Sequence, residues 1–254
     1  MTISPRAFGH GSLPAELSLA KRRGPLLRRY TNATIGVKGY ERVSEHMAPA
    51  TAEFENAFNA FARGTLISTP DGPRAIEDLR PGQLVETLEN GPQAITWIGS
   101  MTLVPSAPVV DPAQSRLTRI TGDRFGQGKP ASDLMVGPGA RMLHSPDMLR
   151  DDELRGQSYT SFTDFVDGDS VFEVVPPAAL ETFHLCLAQH ATIFANEVAV
   201  ESYHPGYHLA ETMGPNKLAL FVSLFPHLDE LADFGLLAHP RMSLRTLMMK
   251  QSAA

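Results

Sequence analysis

Few side chains in this 254-residue chain combine the type and spacing that chemistry requires. The one thiol is Cys186, flanked by Leu185 and Leu187, a setting that suits a small buried hydrophobe in a strand better than a nucleophile. A single cysteine leaves no disulfide within the chain and no cysteine-rich metal site. His204 and His208 stand at i, i+4, the spacing with which one helix face grips zinc. Pro205-Gly206 interrupts any helix between them, and no third ligand lies close in sequence. Asp164, Asp167 and Asp169 around Gly168 have the composition of a calcium loop without its alternating ligands or closing Glu, so a solvated loop is expected. Thr65 and His190 remain as a hydroxyl and an imidazole in otherwise structural surroundings, a strand and a strand turn. Glycine-rich phosphate loops and Ser-centred elbows do not occur. No cofactor and no metal are expected.

The elements that must position these residues are mostly short strands. From Gly64 onward, Thr65–Thr69, Ala75–Leu79, Leu84–Leu88 and Ala94–Gly99 alternate with Pro-Asp-Gly-Pro, Arg-Pro-Gly-Gln and Asn90-Gly91 turns. Arg116–Ile120, Leu134–Val136, Val171–Val175, His184–Leu187 and Thr192–Ala195 extend the pattern, and spacings near ten residues predict a mainly β module. Before it, Thr31–Val37 reads as a strand running into a turn. Ala52–Ala62 reads as a helix with Phe54, Phe58 and Phe61 on one face as a hydrophobic anchor. After it, Asn216–Phe225 and Arg241–Lys250 look helical, bounded by Pro226 and Pro240. Trp97, in the strand beyond Asn90-Gly91, is expected to be buried.

Composition is that of an ordinary globular protein, with 43% hydrophobic and 20% charged residues. Against 28 acidic side chains stand 22 basic ones, and the net charge of −6 offers no electrostatic case for nucleic acid. The basic groups gather at the start, where Lys21-Arg22-Arg23 and Arg28-Arg29 form either a solvated tail or a face docked on the acidic remainder. Contact of Lys21–Arg29 with an acidic membrane surface is a lesser alternative. Charges interrupt every candidate signal-peptide run. Leu218–Phe225, the longest apolar stretch, is too short to span a bilayer. A soluble protein is expected, cytoplasmic or exported without a cleaved N-terminal signal.

Three blocks, in order, carry a family resemblance. Ala60-Phe61-Ala62-Arg63-Gly64-Thr65-Leu66-Ile67, with Ile76–Val85 after it, resembles the opening of bacterial Hedgehog/intein (Hint) domains, which begin Cys-Phe and continue Gly-Thr-Leu-Ile. Asn90-Gly91 and Trp97-Ile98-Gly99 continue that block. Asp133–Leu143 is similar to the family's Leu-x-Val-Ser-Pro-x-His-Arg segment, and His184–Gly206 to its closing block. The resemblance implies a mainly β Hint fold over residues 60–206, with an N-terminal extension (1–59) and a helical C-terminal tail (207–254). It also implies a self-processing chemistry. The first residue attacks the preceding carbonyl, a His of the second block polarises that peptide and protonates the leaving amine, and an Asp of the third assists.

Each of those positions is altered. Ala60 stands where the nucleophile belongs, Ala140 where the His belongs and Ala188 where the Asp belongs, while Gln83 replaces the Asp of the opening turn. No His-Asn pair precedes a Cys, Ser or Thr at the domain end, as splicing requires. Losses at three separated sites suggest natural degeneracy more than one trapping substitution. The expected function is therefore non-enzymatic: a Hint scaffold kept as a binding, folding or secretion-associated module with an unidentified protein partner. The alternative is a self-processing domain or peptide hydrolase with a relocated nucleophile, for which Thr65 and His190 are the weak candidates.

Overall fold

Residues Leu180–Leu187, a strand in the middle of the larger sheet, alternate between two hydrophobic clusters, and that alternation organises the molecule. The computed structural model describes residues 25–36, 39–105, 107–145 and 156–246. Its strands are β1 (Leu27–Ile35), β2 (Glu41–Pro49), β3 (Phe61–Ala62), β4 (Leu66–Ile67), β5 (Arg74–Ala75), β6 (Leu84–Val85), β7 (Gln93–Leu103) and β8 (Leu117–Ile120). They continue as β9 (Leu134–Val136), β10 (Arg141–His144), β11 (Ser158–Ser161), β12 (Val171–Val174), β13 (Leu180–Leu187), β14 (Thr192–Ala195) and β15 (Val198–Glu201). Among the described residues the α-helices include α1 (Ala52–Glu55), α2 (Leu209–Thr212) and α3 (Pro215–Val222).

Nine strands form one antiparallel sheet in the order β12-β8-β9-β3-β13-β7-β1-β2, with β6 paired to β7. Six form the other, β11-β10-β15-β14-β4-β5. Successive strand side chains point to opposite faces. On β13, Phe183, Leu185 and Leu187 accordingly join a core with Phe61, Ile67, Ile98 and Ile193. Cys186 turns the other way, into a second core with Tyr30, Phe58, Trp97, Phe221 and Phe225. Around β13 and β7 the larger sheet is thus covered on both faces, by the smaller sheet on one side and the chain after residue 206 on the other.

Trp97 is fully buried, as its strand position predicts. Its indole Nε1 donates to the Leu224 carbonyl at 2.9 Å, and Asn32 Nδ2 donates to the same oxygen at 2.8 Å. Gly99 makes the site possible: a Cβ there would lie 2.1 Å from Trp97 Cη2 and 2.6 Å from Phe58 Cδ1. The segment before residue 60 enters the same sheet, because β1 runs between β7 and β2 with Tyr30 opposite Met101 and His46. Arg28 pairs with the buried Glu55 at 2.5 Å and Arg29 with the exposed Glu45 at 3.7 Å. Two of the five basic residues are therefore paired with acidic groups, and residues 21–24 lie outside the described residues.

Some expectations need correction. Phe54, Phe58 and Phe61 are all buried but share no helical face. α1 stops at Glu55, Phe61 belongs to β3, and Phe61 packs in a different core from the other two. Their apparent helical period arises from a chain crossing between two cores. The pairing on either side of Asn90-Gly91 is real, but the ladder ends at Val85–Gln93, so the connection is wide. Beyond Val85, Thr87 bridges to Ile193 instead. Arg241 bridges to Tyr159 in extended form, where a helix was expected. Residues 244–246 are helical, and residues 247–250 lie outside the described residues. β2, β10, β11 and β15 are strands that the sequence pattern misses.

Candidate functional site

Where the family's chemistry would occur, the chain is a well-paired stretch of backbone. The Ala60 N–H donates to the Phe183 carbonyl at 3.1 Å, and the Ala60 carbonyl accepts from the Gly137 N–H at 2.8 Å. The Asn59 carbonyl accepts from the Gly139 N–H at 2.9 Å. Two glycines permit this approach, since a Cβ on Gly137 would come within 2.4 Å of the Asn59 carbonyl oxygen and one on Gly139 within 2.4 Å of that of Asn56. Asn59 Nδ2 donates to the Gln114 carbonyl at 3.2 Å, leaving Asn59 Oδ1 unpartnered.

Ala60 and Ala140 are brought together by this backbone network and are both buried in the core between the sheets. Ala188 is exposed, just past the end of β13, and does not join them there. The hydroxyl of Thr65 donates to the Ala62 carbonyl at 2.8 Å, and Thr65 is itself buried. The Cys186 thiol is buried among apolar groups, which pushes its pKa up and keeps it protonated. His184, which the sequence reading passed over, lies one residue along from the Phe183 carbonyl that takes the Ala60 N–H. Its ring meets Phe61 edge-on, with centroids 5.5 Å apart, and burial depresses its pKa to about 3.

The ionised groups lie elsewhere, around Glu201 at the end of β15. Arg241 Nε contacts both carboxylate oxygens of Glu201, at 2.9 and 3.1 Å, and Arg141 Nη1 reaches one at 3.4 Å. His190 Nδ1 accepts from the Ala238 N–H at 3.0 Å, which assigns the ring proton to Nε2. Nε2 faces Glu201 Oε1 at 3.2 Å. Burial alone would raise the Glu201 pKa, but Arg241, His190 and Arg141 outweigh it and hold the carboxyl at about 2. Arg241 Nη2 also donates to the His204 carbonyl at 2.6 Å. The charged cluster thus clamps the chain at 235–242 onto the strands of the third block. A second anchor stands beside it: His239 Nε2 contacts Glu89 at 2.9 Å, and Glu89 accepts from the Thr192 hydroxyl at 2.6 Å.

The other candidates have structural partners. His204 Nδ1 accepts from the Gly206 N–H at 2.9 Å and its Nε2 faces the Gly235 carbonyl at 3.2 Å, while the exposed His208 pairs with Glu211. Asp167 Oδ1 accepts from the N–H groups of Asp169, Ser170 and Val171, tying off its own loop. Among the described residues, no group of three or more His, Cys, Asp and Glu side chains is arranged to hold a metal ion. Nor is any helix among them long and apolar enough to cross a membrane.

Comparison with known proteins agrees with the three blocks. No curated protein matches the chain. Among solved structures, similarity extends to a bacterial intein-like domain from Clostridium thermocellum at 11% identity and TM-score 0.39, over 57% of this chain and 99% of that one. The gp41-1 intein is similar at 12% identity and TM-score 0.35, over 57% and 98% of the two chains. The Hint domain family profile matches residues 59–207, more than half of the sequence. The paired β architecture, the ordered blocks and that match together place this chain in the Hint family.

Proposed function

We propose that this Hint domain does not process itself and serves as a folded binding module. The observation that carries the reading is the Asn59–Ala60 peptide. It is flanked by a fully buried methyl group where a nucleophile would stand, with Ala140 in place of an acid. Acyl transfer needs a nucleophile, and departure of the amine needs a proton donor. The hydroxyl at Thr65 is committed to the Ala62 carbonyl, and His184 stays neutral across the physiological range. The Ala60 N–H and the carbonyls of Asn59 and Ala60 are all satisfied within the fold.

The upstream chain supports the same conclusion. Hydrolysis at residue 59 would release nothing readily, because β1 lies hydrogen-bonded between β7 and β2, and Phe54 and Phe58 are buried in the second core. A segment built into the sheet has the character of structure, not of cargo. A binding role requires only that the scaffold persist, and the two cores and the Glu201 clamp maintain it.

Restoring the family residues tests this. Ala60→Cys should remain intact on treatment with dithiothreitol, since each missing acid or base is typically worth about 10²–10⁴ in rate. The triple variant Ala60→Cys, Ala140→His, Ala188→Asp should lose stability before it gains activity. Ala140 is 1% exposed, and an imidazole there overpacks the core at a cost of about 1–3 kcal/mol. Rapid thiol-dependent cleavage by Ala60→Cys alone would show a working acid–base apparatus and overturn the proposal.

A further inference from the structure

A β-bulge in the larger sheet adjoins a cleft whose lining does not include Asn59, Ala60 or Ala140. Between β7 and β13 the register runs Cys186 to Trp97 and then Leu187 to Ile95, leaving Thr96 as the extra residue. Bulges re-aim a side chain and break the ladder locally, and they are frequent beside functional sites. Here the bulge adjoins a cavity of about 410 Å³, roofed by the chain after residue 226. That volume lies within the range of about 300–1,000 Å³ typical of pockets for small organic molecules.

We propose that this cleft binds a small, neutral, largely apolar molecule carrying one hydrogen-bonding group. The proposal gives a ligand class to the binding module proposed above and rests on that reading. Three observations specify the class. The walls are mainly apolar, including Ile35, Ile95, Leu187, Leu228 and Phe234. Three lining side chains have buried polar atoms without a hydrogen-bond partner, Thr96 Oγ1, His227 Nδ1 and His190 Nε2, the last already facing Glu201 at 3.2 Å; such orphans are satisfied in most sites by a protein group, a water or a ligand. Among the described residues no Lys or Arg lines the cleft, and the carboxylate of Asp233 already accepts from the N–H groups of Asp229 and Glu230. Burial holds the His227 pKa down at about 4, so this ring gives an anion no counter-charge at neutral pH. Ile35, 43% exposed, and the exposed Ala188 mark the mouth.

Calorimetric titration of the full chain with 1-naphthol, naphthalene and naphthalene-1-sulfonate tests the assignment, with melting temperature as a second readout. Naphthol should bind and raise the melting temperature. Naphthalene, and naphthol on Thr96→Val, should bind about tenfold more weakly, the effect of one lost hydrogen bond. The sulfonate should bind more weakly than naphthol. Thr96→Val should melt no lower than the parent, because the hydroxyl it removes has no partner. Ala188→Trp should close the mouth and abolish binding, and Ile35→Trp provides the same block should the first variant fold poorly. An intact chain whose melting temperature does not respond to about 1 mM naphthol would overturn the ligand assignment. So would equal binding of the sulfonate, or binding unaffected by either tryptophan. The mass of the same samples separates the two claims, because a cleaved chain contradicts the non-processing reading and leaves the cleft's ligand to be judged by the titration.

Discussion

Replacing Arg241 with Met removes the closer guanidinium from a carboxylate that has left water entirely. Glu201 is 2% exposed, and its pKa is held at about 2 against an ordinary 4.5. Each pKa unit is about 1.4 kcal/mol, so ionised Glu201 contributes about 3 kcal/mol to folding at neutral pH. Breaking such a buried pair by removing one partner typically costs about 3–5 kcal/mol. The carboxyl pKa is depressed in the fold, so this stability is fully present above the unfolded pKa. It is lost as pH falls from about 4.5 through 2. Urea unfolding followed by Trp97 fluorescence should show Arg241→Met destabilised by about 3–5 kcal/mol at pH 7. The gap to the parent should shrink by roughly half or more at pH 2.5, where the unfolded carboxyl is protonated and most of the stability that ionised Glu201 gives the parent is lost. The Arg241 bond to the His204 carbonyl, which does not depend on that proton, keeps the gap from closing completely. A loss below about 1 kcal/mol at pH 7, or a gap equal at both pH values, would refute the clamp.

Two further substitutions probe how the segments outside the three blocks are held. Phe58→Ala should cost about 3–5 kcal/mol in urea unfolding, because Phe58 is fully buried against Tyr30 and Trp97; an unchanged midpoint would show that the upstream segment is not packed. Gly99→Ala forces a Cβ to within 2.1 Å of the Trp97 ring and should cost about 1–3 kcal/mol with a shifted Trp emission, and parent-like values of both would contradict the packing described.

Much of the β architecture was legible because it is local. Thr192–Ala195 and Leu134–Val136 match β14 and β9 residue for residue, since short apolar runs bounded by turn residues have few other ways to bury themselves. β2 was not legible. Its inward positions include Ser44 and His46 while Val43 and Met47 face solvent, so the hydrophobic alternation that marks a half-buried strand is missing. The short β10 and β11 have the same difficulty, with Arg141, His144, Ser158 and Ser161 at their ends. At the site, the three alanines were readable from the family blocks, which are contiguous in sequence. The Glu201 clamp was not. Arg141, Glu201 and Arg241 come from three distant segments, and Glu and Arg are almost never fully buried unless paired, so no local pattern announces their partners. The strap from 235 to 242 was obscured for a related reason. Its hold includes hydrogen bonds to Tyr159, His190 and His204, and neither apolar period expresses those.

The mass of the unmodified protein under denaturing conditions tests the central claim most directly. Denaturation is essential, because β1 and β2 would keep a cut N-terminal piece bound to the rest. After incubation with dithiothreitol or hydroxylamine, which trap thioesters and esters, the account predicts a single species at the 27.6 kDa of the full sequence. A fragment ending at Asn59, with its complement beginning at Ala60, would contradict it and would make Thr65 the first residue to mutate.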